Sequence, residues 1–398
     1  MFILTVSENI LSFVCGVGLL QGVLLSLLLY YHPKSDRSVN KFLSLYLLGI
    51  TIVMAGPLTI NLITWQKSFF FEPFPLAVSP LMYLYIRSFK QTITWKKALP
   101  HLLLFFIHFP ISYFRVADLA GRYPDSPDIP EEAFRGPASL FMFGTRYVAL
   151  FLYYFLSRYE LNKYQKTIRH MFSETSQIDL KWAKWLINGY LLVVISSVII
   201  YVLMTKFTDK FYLLYLINIA IATPYIYIVT YKGITQPTIW QKASQNNKTT
   251  MEEKIHESEE IEKVSSNRIK NQKQKMSDTR IEEIVIRITS LMEKNKLFSE
   301  TELTLQDLSD KLQYPSHQVS LAINEGMNKN FYDLVNGYRV EEAKRKLRDP
   351  RNENYTILSV GFDAGFNSKT TFNTVFKKFT GLTPTDFRER EKAREAYA

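Results

Sequence analysis

At 398 residues, 47% of them hydrophobic and 21% charged, the chain is long enough for two or three domains. Its charge of +11 is unevenly spread: residues 1–231 hold 20 Lys/Arg against 12 Asp/Glu, residues 232–280 hold 10 against 7, and residues 281–398 hold 18 against 18. The basic excess therefore belongs to the first part and the segment after it, which excludes net charge as an argument for nucleic-acid binding by the last part.

Seven runs approach the roughly 20 apolar residues that cross a bilayer. They lie near 9–31, 42–64, 69–89, 98–117, 138–158, 184–205 and 211–231, the third interrupted by Pro73, Pro75 and Pro80. The N-terminus has no basic stretch ahead of its apolar run, so no cleavable signal peptide is expected. With the C-terminus in the cytoplasm, loops 32–41, 87–97 and 158–184 are internal and hold 13 Lys/Arg, against six in the external loops. That asymmetry predicts a multi-pass membrane protein with its N-terminus outside and its C-terminus in the cytoplasm.

Asn61, His101, His108, Arg146, Asn188 and Asn218 fall inside spans. Arg146, about half a span deep with no acidic neighbour in sequence, is the candidate sensor residue, since ionisable groups at that depth are costly and often line functional cavities; the competing reading is snorkelling. Gly18 and Gly22 have the spacing that lets helices approach closely. The acidic, proline-bearing loop 118–137 reads as a non-helical solvated connector, with a cover or wall of a ligand site as the alternative. Residues 232–280, rich in Gln, Asn, Lys, Ser and Glu, read as a flexible cytoplasmic tether, with a solvated helix or weak coiled coil from Met251 as an alternative.

Beyond Arg280 the periodicity becomes helical. Ile281, Ile284, Val285, Ile288 and Leu291 form one amphipathic stripe. Thr304 and Asp307 make a capping-box pattern ahead of Leu305, Leu308 and Leu312. The next helix, from Ser316, buries Val319, Ala322 and Ile323 and is expected to present Ser316, His317, Gln318, Ser320, Leu321 and Asn324 to DNA. A long helix from about Asn330 to Leu347 follows, with Arg339, Lys344 and Arg345 as candidate phosphate contacts. The pattern then recurs about fifty residues on. Thr356 precedes Ile357, Val360 and Phe362, Gly365 supplies a turn, and a helix burying Phe372, Val375, Phe376 and Phe379 leaves Ser368, Lys369, Thr370, Thr371, Asn373, Thr374, Lys377 and Lys378 for DNA.

The terminal string GFNSKTTFNTVFKKFTGLTPTDFR, ending at Arg388, together with the order of these elements over residues 285–390, resembles the AraC/XylS family of transcription regulators. The resemblance implies two helix-turn-helix units bridged by a helix, with recognition helices at Ser316–Asn324 and Ser368–Lys378. These would enter successive major-groove faces about 34 Å apart. One departure is Gln313, where the family usually has glycine at the first turn. The multi-span first part is similar to a membrane-tethered variant of the family, in which spans replace a soluble sensor domain.

The expected architecture is thus all-α. It comprises a seven-helix transmembrane bundle over 1–231, a charged linker over 232–280, and a DNA-binding domain over 281–398. The expected function is a membrane-bound, sequence-specific transcription regulator with double-stranded DNA, the bilayer and an unknown signal as partners. A passive anchor, or a transporter or membrane enzyme carrying a regulatory DNA-binding domain, are the alternatives, and a homodimer stays open. One cysteine, scattered histidines and no catalytic motif predict no enzyme, no metal and no cofactor.

Overall fold

The computed structural model describes residues 2–32, 37–55, 72–124, 132, 136–175, 178, 180–204, 211–235 and 278–396. These are all-α, and the chain divides into two compact units, Met1–Asn162 with Leu180–Asn246, and Lys163–Asp179 with Asn247–Ala398. Most of the expected linker, 236–277, including the stretch from Met251, lies outside the described residues, as does Asn61.

The first unit contains α1 (Phe2–Tyr31), α2 (Arg37–Met54), α3 (Pro75–Ser88), α4 (Leu103–Arg122), α5 (Pro137–Met171, which continues into the second unit), α6 (Lys181–Met204) and α7 (Phe211–Thr235). The seven-span bundle is corrected here. Among the described residues, five helices are long and apolar enough to cross a bilayer: Ser12–Tyr31, Trp95–Arg122 (which includes the short turns before α4), Pro137–Met171, Lys181–Leu203 and Leu213–Thr235. The apolar part of α2, Val39–Met54, falls short of span length, and α3 has only 14 residues. Proline accounts for the second case, because Pro75 sits in the first turn of α3, where its missing N–H is tolerated, and so marks where the helix starts. Nearly every side chain of α3 is buried in protein. A hydropathy window counts such a core helix as a span, because it counts apolar residues without asking what covers them.

The five long helices are the reverse case. Only 22–33% of their apolar windows is buried, and Phe114, Val148, Phe155 and Trp185 stand exposed, a surface that hydrocarbon matches and water does not. Inside the unit, Gly22 of α1 lies so close to Thr51 of α2 that a Cβ there would collide, while Gly18 faces open space. Helix α4 runs to Arg122, so the start of the presumed non-helical loop 118–137 is helical, and Arg122 pairs with Asp118 at 2.7 Å.

The second unit contains α8 (Asp278–Asn295), α9 (Leu305–Leu312), α10 (Ser316–Leu321), α11 (Phe331–Arg348), α12 (Ile357–Asp363), α13 (Lys369–Thr380) and α14 (Pro384–Ala396). It has two apolar cores. Ile284, Leu308, Val319 and Ile323 belong to the first, with Phe331, Leu334 and Val335 from the start of α11. Val360, Phe366, Phe372 and Phe376 belong to the second, with Val340, Ala343 and Leu347 from its end. One helix thus supplies a wall to both cores.

Candidate nucleic-acid interface

The first helix pair is built as its sequence suggests. Thr304 accepts the Asp307 N–H at 3.2 Å and Asp307 accepts the Thr304 N–H at 2.8 Å, a capping box that starts α9. Gln313 closes α9 with φ 57°, a left-handed conformation that glycine adopts at less cost. Helix α10 then runs for six residues and passes into a π turn, Ala322–Gly326. His317 is exposed and Gln318 and Leu321 are half-buried. Ser316 donates to Gln306 at 2.8 Å, and Asn324 reaches the Ser320 hydroxyl at 3.4 Å. Ser320 itself is buried, so it does not present the base-reading group expected of it.

In the second pair, Thr356 caps α12 and Ser368 caps α13, each accepting an N–H three residues on. Between them Gly365 adopts φ 97°, and a Cβ there would meet the Phe298 carbonyl oxygen at 2.5 Å. Two constraints, dihedral and steric, therefore require glycine at this turn. Phe372, Val375 and Phe376 anchor α13, leaving Lys369, Thr370, Thr374, Lys377 and Lys378 exposed and Asn373 half-buried. Lys378 pairs with Asp333 at 2.6 Å. Two expectations fail on this helix: Thr371 is buried, and Phe379, expected in the core, is 41% exposed.

Of the three candidate phosphate contacts, Arg339 is corrected outright. It is fully buried; its Nε donates to the Phe298 carbonyl at 2.8 Å and its Nη2 to that of Glu300 at 2.7 Å. Burial lowers its pKa to about 10, while the nearby Glu174 charge opposes that shift, so the group remains a cation at neutral pH. A sequence signal for this existed: Arg339 falls in the row Phe331, Val335, Arg339, Ala343, Leu347, one residue per turn along a buried stripe. Lys344 and Arg345 stay on the surface, paired at 2.8 Å with Glu341 and Glu342. The hydrogen bond from Arg345, with help from Lys296, holds the Glu342 carboxyl down at about 2. The Lys344–Glu341 pair leaves Glu341 exposed and is worth about 0–1 kcal/mol, so phosphate can compete for Lys344, whereas the largely covered Glu342 holds Arg345 more firmly.

The same unit contains a segment that the sequence left as a connector. Phe172 forms an antiparallel bridge with Thr304, and the Ser173 hydroxyl donates to the Leu303 carbonyl at 2.6 Å. Arg339 donates to that hydroxyl at 3.2 Å, and buried Asn336 donates to the Ser173 carbonyl at 2.9 Å. One residue on, a Glu174 carboxylate oxygen lies 3.4 Å from the Thr371 hydroxyl, in the first turn of α13. No local pattern announces this docking, because its partners are 130 or more residues away.

Arg146, in the first unit, is half-buried and donates to the Glu72 carbonyl at 3.0 Å. A family profile described as a helix-turn-helix domain matches residues 308–390, from within α9 to within α14. No curated protein and no solved structure matches the chain. The chain is therefore a membrane-embedded helical region attached to a C-terminal helix-turn-helix module, the general form of a membrane-associated DNA-binding regulator.

Proposed function

We propose that this chain is a membrane-bound, sequence-specific transcription regulator of the AraC/XylS type, acting by binding and not by catalysis. The observation that carries the reading is α13, a capped helix whose apolar face is fixed in a core and whose outer face offers Lys369, Thr370, Thr374 and Lys377. Lysines supply sequence-independent attraction to phosphate, while short polar groups at the start of such a helix reach base edges. Helix α10, with His317 exposed and Gln318 half-buried, would add a second contact without Lys or Arg.

Sidedness supports the reading. The five candidate spans among the described residues would put α1 and the helix-turn-helix module on opposite faces, and Lys163, Lys166, Arg169, Lys181 and Lys184 flank the segment after α5. Their density favours the cytoplasm for that segment, and it shares a unit with the helix-turn-helix module.

Control by the membrane-embedded unit would act through residues 172–175, which are continuous with α5. Glu174 sets a negative charge at the N-terminal turn of α13, where a DNA phosphate would otherwise gain from the helix dipole. A signal that shifts α5 would bias the unit between a state with Glu174 in place and one with α13 free for DNA.

The test is selection of binding sites from random duplexes by the full chain in lipid nanodiscs. The expected product is one enriched site read over two groove faces about 34 Å apart, with affinity falling steeply as salt rises. Lys369→Ala should weaken binding across all sequences. Failure to enrich any sequence at any salt concentration would overturn the proposal.

A further inference from the structure

The first unit holds a cavity of about 200 Å³ between α2, α3, α5, α6 and α7. A 150 Å³ apolar cavity is known to admit benzene, so this one has room for a somewhat larger molecule. Much of the wall is aliphatic, including Ile50 and Val194, and Tyr147, Tyr190, Tyr201 and Tyr215 complete it. Its polar lining includes Arg146, Ser197 and Asn218, the last two bonded to each other at 3.1 Å.

Arg146 is the group that selects the occupant. Its Nη2 donates to the Glu72 backbone carbonyl at 3.0 Å, but it comes no nearer than 4.0 Å to the Glu72 carboxylate. That carboxylate is held by Arg115 at 2.7 and 2.8 Å and by the Ser112 hydroxyl. The Arg146 Nε is buried and has no hydrogen-bond partner among the described residues. A guanidinium at membrane depth, with a buried N–H unused and at the outer limit of ion pairing with a carboxylate that Arg115 holds more closely, is costly as it stands. A carboxylate is the ligand group that matches its planar fork.

We propose that this cavity binds a small amphipathic monocarboxylate, an aromatic or short aliphatic acid, with its carboxylate on Arg146 and its hydrocarbon against the aliphatic wall. The proposal names the class of signal for the function proposed above and rests on that reading only for its regulatory consequence, since binding stands or falls by itself.

The experiment is calorimetric titration of the full chain in nanodiscs with phenylacetate and octanoate, each beside its uncharged amide. At least one acid should bind saturably and at least roughly ten-fold more tightly than its amide, the loss expected when a buried charge partner is removed. Arg146→Gln should erase that difference. Val194→Phe keeps Arg146 but fills the cavity, and should abolish binding of the acid. The proposal is overturned if neither acid binds, if acid and amide bind equally, or if Val194→Phe binds as the unaltered chain does. Should Arg146→Gln fail to fold, the acid-to-amide ratio and Val194→Phe decide the matter. DNA selection on the same preparations, without acid, reports separately on the proposed function.

Discussion

The two helix pairs of the second unit repeat one plan at a spacing of 52 residues: Thr304 and Thr356 cap the first helices, Gln313 and Gly365 take the turns, and Ser316 and Ser368 open the second helices. Their differences fall where chemistry matters. The first pair tolerates a side chain in a left-handed turn and presents an outer face without Lys or Arg. The second has a turn closed to any side chain and a face bearing Lys369, Lys377 and Lys378. The repeated plan supplies a way to hold a helix, and the side chains then decide how strongly that helix meets a polyanion.

Removing what the two pairs share should have the largest effect. Arg339→Ala removes the side-chain donor from the Phe298 and Glu300 carbonyls and empties a buried site, and should cost about 3 kcal/mol or more, read by urea denaturation of the chain. Gly365→Ala should cost a similar or slightly smaller amount, about 2–3 kcal/mol, by the same measurement. The equivalent Gln313→Ala should be nearly silent, and equal losses at the two turns would erase the distinction drawn between them. Gln313→Gly should stabilise the first pair by about 1 kcal/mol, because it removes a Cβ from a left-handed residue. The smallest effect concerns charge. Glu174→Gln should tighten DNA binding several-fold at low salt and less at high salt, in a titration of labelled duplex. A weakening instead would show that Glu174 supports the reading surface.

The repeat also marks what was legible in the sequence. Helix α11 was expected from about Asn330 to Leu347 and runs from Phe331 to Arg348, because a strong apolar stripe and a stop at Pro350 leave little choice. Ser320 and Thr371 were assigned outward by residue type. Aligning the two copies places them opposite Phe372 and Val319, both core residues, so register carried information that polarity concealed. Phe379 shows the converse, an apolar residue past the end of the buried stripe. The seven-span expectation failed because hydropathy does not separate a helix covered by protein from one covered by lipid, as α3 shows. The docking of Ser173 and the cavity at Arg146 were beyond local reading, since each is assembled from segments distant in the chain.

The Ser173 contacts bear on how such a protein is switched off or set loose by proteolysis. A protease acting between α7 and α8 would sever the covalent tether, yet Arg339 and Asn336 would still hold residues continuous with α5. Release of a diffusible fragment then requires a second event, the breaking of those bonds. The freed fragment would carry a guanidinium and an amide stripped of one partner. Cleavage alone is therefore a poor trigger for this architecture, since the contacts at Ser173 do not depend on the tether.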